Sequence, residues 1–489
     1  MPVSWFSTGR DNEMSNTTIN RRDFLCQTTG ALGLCTLAGA TTARANPSAK
    51  PNILFIFADD QTFDSIAALG CDEAHTPNLD RLVRRGVSFD NCYNQGGWHG
   101  AICVASRTML LTGRFLWNAK AIDPRVPEEC AAGRLWPQYL ERAGYRTYMS
   151  GKWHVNCNAD EAFQTTRNIR GGMPPDVPEQ YDRPKEGVPD PFDPTNPELG
   201  GFWTGGAHWS EALGDDGVEF LRDATEHDVP FFMYLAFNAP HDPRQAPREY
   251  LDKHPLDGVG LPDNFLPEYP DKDAIGCSPA LRDERLAPFP RTEHAVRTQR
   301  REYYAIISHT DTQIGRILDA LEATGRADNT WIFFSADHGL AVGKHGFMGK
   351  QNMYEHSMKA PLIVVGPDAP ANQRVQAPVY LQDIMPTTIE LAGADVPDHV
   401  QYKSLMPLIT RESTVGYDAI YGAYMDKQRM IRVDNYKLIH YPTINQYRLF
   451  DLDADPDEKN NLADKKTHTP TLRRMKNQLQ ELRREMGDA

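Results

Sequence analysis

The chain has 489 residues, enough for one large domain and a smaller one with a sizeable core. A formal net charge of −14 argues against a nucleic-acid partner, which calls for a basic face, but an acidic whole can still hold a basic pocket. With 40% apolar and 24% charged residues the balance is that of a soluble globular protein, and 36 prolines with 36 glycines predict long surface loops.

At the amino terminus Asn20, Arg21, Arg22, Asp23, Phe24 and Leu25 precede a mild apolar stretch to Ala40, then Ala43-Arg44-Ala45. Residues 1–45 read as a twin-arginine export peptide cleaved after Ala45, giving an exported protein, periplasmic or extracellular. The apolar stretch is short and rich in Gly and Thr, and no later segment reaches the roughly 18 continuous apolar residues that span a bilayer, so no stable membrane insertion is expected after cleavage.

PNILFIFADDQ, Pro51 to Gln61, is an apolar run ending in two carboxylates, the pattern of a central buried strand delivering Asp59 and Asp60 to its carboxyl end. Open α/β sheets put their ligands there. A helix is expected through Leu79, Leu82 and Val83, stopping at Gly86, followed by another strand. Trp136 to Ala143 repeats the helical pattern before a strand near Tyr145 to Ser150. Pro230 to Asn238 and Thr330 to Gly339 are further apolar strands, the latter preceded by a helix over Arg301 to Thr324. This alternation implies a mostly parallel sheet covered on both faces. Ala159 to Trp209 and Leu256 to Thr298, crowded with Pro, Gly, Asp and Asn, read as long loops that shape a pocket. After Pro370 the pattern changes to a helix near Gln382 to Ala392, short strands at Ala419–Met425, Gln428–Val433 and Tyr436–His440, and a charged helix over Pro470 to Met486. The expected organisation is therefore a large α/β domain over 46–370 and a small α+β subdomain over 371–489.

Three carboxylates, Asp59, Asp60 and Asp337, converge if two strand ends meet, and they would repel strongly without a divalent cation between them. Taken alone, paired aspartates after a strand are as often a turn or a helix cap. CVASRTMLLTGR, Cys103 to Arg114, sets a thiol four residues before a guanidinium, which favours the thiolate and grips anions, although on residue chemistry alone a buried structural cysteine is the better reading. Lys152 and His154 in GKWH, His241 in APH, and Lys350 in GFMGKQN complete the candidates, and a histidine taken alone is more often structural or solvated than catalytic.

Together these strings resemble the type I, formylglycine-dependent sulfatases, whose signature C-x-P/A-S-R followed by TGR matches Cys103 to Arg114; Ala105 stands where many members carry proline. The resemblance runs from Asn52 to about Ala463, including LFDLDADPDEKNNLA near the end, and implies an alkaline-phosphatase-like sandwich with a mostly parallel sheet. It implies that a formylglycine-generating maturation enzyme oxidises Cys103 to 3-oxoalanine, and that one divalent cation, Ca²⁺ for preference over Mg²⁺, is held by Asp59, Asp60, Cys103, Asp337 and His338. By the same resemblance Arg107 holds the aldehyde hydrate and the metal ligands, and Lys152 and His154 hold the formylglycine and sulfate oxygens. His241 contacts sulfate and helps protonate the leaving oxygen, while Lys350 binds substrate sulfate. The hydrate attacks sulfur, the alcohol leaves, and the second hydroxyl expels sulfate and restores the aldehyde. Two lysines, two histidines and a cation would neutralise charge on the sulfuryl group.

The DHG form, the long inserts and the APREYLD region resemble iduronate-2-sulfatase-like and bacterial carbohydrate sulfatases, which points to a sulfated polysaccharide or oligosaccharide, with choline sulfate and aryl sulfates still open. Two rival readings stand beside this: a phosphonate or phosphate monoester hydrolase of the same superfamily, and a sulfated-glycan-binding protein left unconverted at Cys103. Trp98, His99, Arg244 and His345 are as well explained by packing and are left outside the catalytic set. If Cys26 and Cys35 leave with the export peptide and Cys103 is consumed, five cysteines remain without CxxC spacing, enough for at most two disulfides and no zinc cluster.

Overall fold

The computed structural model describes residues 50–488, so the expected export peptide lies outside the described residues. In chain order its main strands are β1 (Asn52–Ala58), β2 (Val87–Phe89), β3 (Arg146–Lys152), β4 (Thr165–Arg170), β5 (Phe231–Ala236), β6 (Thr330–Ala336), β7 (Leu362–Val365) and β8 (Gln373–Val375). The helices are α1 (Pro77–Arg85), α2 (Ile102–Thr112), α3 (Trp136–Arg142), α4 (Trp209–Thr225), α5 (Glu293–Ala323), α6 (Ile384–Leu391) and α7 (Thr469–Glu485).

These strands form an eight-stranded sheet in the order β8-β2-β7-β6-β1-β5-β3-β4. Every strand but β7 runs the same way, as the alternating pattern predicts. The three central strands are buried along their whole length, which is why they read as unbroken apolar runs rather than alternating ones. Phe55, Phe57, Trp136 and Tyr234 pack ring against ring beneath them, with tilted and edge-on contacts.

Register fixes where the strands end. Ala58 pairs with Ala336, Phe57 with Ala236, and Gly151 with Ala236, so β1, β3, β5 and β6 finish at one level. Asp59, Lys152, the loop to His241, and Asp337 all leave the sheet at that edge. Gly151 is required there: its φ is +92°, and a Cβ would stand 1.9 Å from the Ala236 carbonyl oxygen.

Two expectations need correction. The stretch Ala159 to Trp209 is not all loop, because β4 lies within it as the edge strand beside β3. Its sequence, TTRNIR, is polar and half exposed, so it lacks the apolar signature of the inner strands. The long helix also begins earlier, at Glu293, where Thr292 caps it by accepting from Ala295 N, so the second loop ends before Thr298.

The carboxy-terminal strands β9 (Ile420–Tyr424), β10 (Gln428–Val433), β11 (Tyr436–Tyr441) and β12 (Gln446–Asp451) form an antiparallel meander. Its inner edge pairs in parallel with Gly96–Gly97, just ahead of the segment that leads to Cys103. Before this meander, β8 joins the main sheet, and α6 with Leu405, Leu408 and Ile409 shares the apolar cluster of β1. Among the described residues no helix is long and apolar enough to cross a membrane.

Candidate active site

Cys103 sits in the first turn of α2, where the helix amides favour an anion. Its Sγ lies 3.3 Å from His154 Nδ1. One turn along α2, Arg107 is fully buried and reaches under the sheet edge: its guanidinium donates to Asp337 Oδ2 and, at 2.8 Å, to the Lys152 carbonyl oxygen. Arg107 thus ties α2 to the ends of β3 and β6 without touching the thiol. Ser106 adds a hydrogen bond of 2.7 Å to the Asp337 carbonyl oxygen.

The carboxylates are each met by a cation. Lys152 Nζ pairs with Asp59, and Lys350 Nζ donates to both oxygens of Asp60 at 2.8 and 2.9 Å. His338 Nε2 stands 3.4 Å from Asp60 and 3.5 Å from Asp337. Its Nδ1 is 3.0 Å from the Gly339 carbonyl oxygen, a contact that holds the proton on Nδ1 and leaves Nε2 as the ligating nitrogen. Asp59, Cys103, Asp337 and His338 offer ligand atoms all within 4.8 Å of one another, and Asp59 Oδ1 and His338 Nε2 are buried without a hydrogen-bond partner. Orphaned buried lone pairs on an oxygen and a nitrogen, with a second carboxylate beside them, fit a divalent cation. Asp60 and His154 also hold positive φ, 67° and 55°, the backbone strain that functional sites keep.

Electrostatics follow from burial and crowding. Burial and the neighbouring Asp337 raise the Asp59 pKa well above the carboxylate range despite Lys152. Burial also opposes ionisation of Cys103, but Lys152, His154, His338 and Lys350 outweigh it and hold the thiol well below its ordinary value. Arg107, the cation nearest in sequence, is not among the leading contributors, because it is turned onto Asp337. Burial and Lys350 together lower His241.

A cavity of about 380 Å³ opens over Cys103, and His154, His241 and Lys350 share its wall. Asp59, Asp60, Arg107, Lys152, Asp337 and His338 do not line it; they form the charged layer beneath. All the sequence-derived site residues therefore gather at one edge, in two tiers.

A comparison with family models decides what this edge belongs to: a model described as Sulfatase matches residues 51–394. The chain belongs to the sulfatase family. A second model, described as N-sulphoglucosamine sulphohydrolase, C-terminal, matches residues 343–485 of the sulfatase. Among its relatives is the N-acetylglucosamine-6-O-sulfatase of Bacteroides thetaiotaomicron, 25% identical over 94% of this chain and 90% of that protein. The choline-sulfatase of Rhizobium meliloti is 29% identical over 85% of this chain and 83% of its own. A solved structure in complex with its substrate D-glucosamine-2-N,6-O-disulfate superposes with a TM-score of 0.69 at 25% identity, covering 90% of this chain and 98% of the other. The phosphonate monoester hydrolase of Silicibacter pomeroyi shares the fold, with a TM-score of 0.67 at 21% identity over 89% of this chain and 95% of its own.

Sequence reasoning missed part of the sulfatase's cavity wall. Arg282 and Asp283, from the loop before α5, line it with Gln351, Gly172 and Met173. Arg282 pairs with Asp242, and its Nη2 donates to Asp283 at 2.5 Å. Gln351 donates to Asp283 at 2.7 Å. Asp242, directly after His241, was a findable signal; Arg282 and Asp283 open a short 3-10 helix, Arg282–Leu286, with no pattern in the sequence to mark them. Arg244 and His345 are buried, Arg244 donating to Gln299 and His345 Nε2 lying 3.1 Å from the Glu458 carbonyl oxygen.

Proposed function

We propose that this sulfatase hydrolyses a sulfate ester on a sulfated oligosaccharide or polysaccharide, using formylglycine made from Cys103 by a maturation enzyme. The observation that carries the reading is the two-tiered edge: Cys103, His154, His241 and Lys350 on the cavity wall above a buried carboxylate–histidine cluster. The 6-O-sulfatase relative, acting on a sulfated N-acetylglucosamine, supports a sugar as the substrate class.

Asp59, Asp60, Asp337 and His338 would hold the divalent cation, with Ca²⁺ the expected ion, and that cation supplies positive charge against the sulfuryl oxygens. Converted Cys103 supplies an aldehyde hydrate as the oxygen nucleophile, which an unmodified thiol cannot offer. Lys350 is the cavity-wall cation that orients the sulfate, and Lys152 supports the tier beneath. His154, in contact with the Cys103 side chain, takes or returns protons at that position. His241 delivers the proton that the leaving sugar oxygen requires; the arriving anion offsets the burial that disfavours its charged form. Arg107 keeps Asp337 and the Lys152 turn in register with Cys103. Export follows the amino-terminal sequence.

The test is protein produced with a formylglycine-generating system. Its Cys103 peptide is mapped by mass spectrometry, and sulfate release from N-acetylglucosamine 6-sulfate is compared with phosphate release from the matched phosphate ester. Aldehyde at Cys103 with faster sulfate release supports the reading. Faster phosphate cleavage moves the chain to the monoester-hydrolase alternative, and an unmodified cysteine that binds sulfated glycan without turnover moves it to the binding-protein alternative.

A further inference from the structure

His241 and Lys350 share the cavity wall although they lie far apart in the chain, and the short 3-10 helix Arg282–Leu286 connects the two. On the Lys350 side that helix is held at several points. Glu284 accepts from the Met348 and Gly349 backbone N–H groups at 3.1 and 3.0 Å. Asp283 accepts from the Gln351 side chain at 2.7 Å, with Lys350 Nζ 3.7 Å away. On the His241 side the connection is Arg282. Its guanidinium pairs with the Asp242 carboxylate and donates through Nη2 to Asp283 at 2.5 Å, so one planar fork joins two buried carboxylates. Asp242 in turn adjoins the imidazole: His241 Nδ1 lies 2.8 Å from the Asp242 carbonyl oxygen and 3.3 Å from its Oδ1, two acceptors that keep a proton on Nδ1. Nε2 stands 3.5 Å from Arg282 Nη2 and 3.8 Å from Asp60. The Arg282 side chain is the exposed end of this series of contacts, at 32% against 4% for Asp242, so replacing it removes the link without opening the core.

We infer that Arg282 is a positioning residue for the hydrolysis: by joining Asp242 to the helix that grips the Lys350 segment, it sets the His241 ring at a fixed distance from Lys350. The inference rests on the reading of His241 as the proton donor to the leaving sugar oxygen. Cleavage of a sulfate ester asks two things of this wall at once, a cation on the sulfuryl oxygens and a proton at the departing oxygen one bond away, so the two groups must keep a set spacing. Without Arg282 the Asp242 carboxylate is a buried charge that has lost its partner, and it is free to turn onto the imidazole or toward Lys350. With Arg282 in place both oxygens of Asp242 are engaged, and the ring beside them keeps one orientation.

The first readout needs no substrate. Crystal structures of the wild type and of Arg282→Met are compared, and the His241 ring is expected to shift by about 1 Å or more relative to Lys350. Asp242→Asn breaks the same link while leaving Arg282 on Asp283; it should show the same shift, and it serves where Arg282→Met does not fold. A ring that stays in place would overturn the inference, whether or not the protein proves to hydrolyse sulfated sugars. The second readout uses the formylglycine-converted protein with N-acetylglucosamine 6-sulfate, whose alcohol needs a proton to leave, and 4-nitrophenyl sulfate, whose phenolate leaves readily without one. In Arg282→Met, kcat for the sugar ester should fall about 10²-fold with KM little changed, and the fall for the nitrophenyl ester should be about tenfold smaller. Equal losses on the two esters would mark a general structural role, and a raised KM with kcat kept would make Arg282 a direct substrate contact; either overturns positioning through His241. A wild type that releases sulfate from neither ester would sink the proposed function, and the ring position would then decide the inference by itself.

Discussion

The segment from Lys350 to His356 feeds two clusters of buried charge, and they are built to different rules. In the sheet-edge cluster three aspartates crowd together, two of their oxygens are served by Lys350, and buried atoms such as Asp59 Oδ1 and His338 Nε2 stay unpaired. In the other, Lys437 Nζ lies 2.9 Å from Glu355 and 2.8 Å from Glu458, Tyr93 donates to Glu355 at 2.7 Å, and Glu458 accepts the Glu355 backbone N–H at 2.7 Å. Tyr93 and Glu355 lie among the segments around the main sheet, while Lys437 and Glu458 come from the carboxy-terminal meander and the segment after it. The second cluster is therefore a joint, in which Lys437 meets both carboxylates across two parts of the fold. The first is left open toward a cavity. The joint sets one cation against two carboxylates, whereas the sheet-edge cluster turns carboxylate and imidazole atoms toward one point, as a ligand site would.

The largest effect expected of this contrast is at Cys103. Cys103→Ala should lower turnover by roughly 10⁴-fold or more while thermal unfolding stays close to wild type, because the open cluster contributes chemistry rather than cohesion. A matching loss of stability would break the distinction. The joint should behave in the opposite way. Lys437→Met strands two buried carboxylates and should destabilise the fold by about 3–5 kcal/mol, read from denaturant unfolding, with activity following the folded fraction.

An acid titration sharpens the same point. Burial opposes ionisation of Glu355, yet Lys437, Lys359 and Arg432 hold it down to about 2 from its ordinary value of 4.5. Its folded pKa is depressed, so its contribution is present above about pH 4.5 and is lost as pH falls toward 2. The loss should approach about 3 kcal/mol in unfolding free energy at the acid end, and Glu355→Gln should flatten that limb. Glu458, pushed up to about 7 by burial, is already protonated over that range and adds nothing to it.

The smallest effect tests how finely the open cluster is positioned. A Cβ on Gly172 would stand 2.5 to 3.1 Å from three atoms of the His154 ring, whereas one on Gly171 meets nothing within 4 Å. Gly172→Ala should lower kcat by about tenfold through displacement of His154, with KM little changed, and Gly171→Ala should leave both unchanged. Equal behaviour of the two variants would show that His154 tolerates displacement.

Much of the architecture was legible because the central strands are buried on both faces and write themselves as NILFIFA, FFMYLA and TWIFFSA. The edge strand TTRNIR was not, because an edge needs little apolar surface and leaves little trace. The site residues that follow a strong strand or lie in the CVASR string were found for the same local reason. Sequence alone thus determined the class of fold, the sulfatase motifs and the sheet edge where they collect, since all three depend on short-range pattern. Only the tertiary structure decided that Arg107 faces Asp337 rather than the thiol, that Lys152 lies beneath the cavity, and that Arg282 and Asp283 enter its wall. These depend on strand register and on loops folding back across the sheet, which no neighbouring residue in the chain encodes.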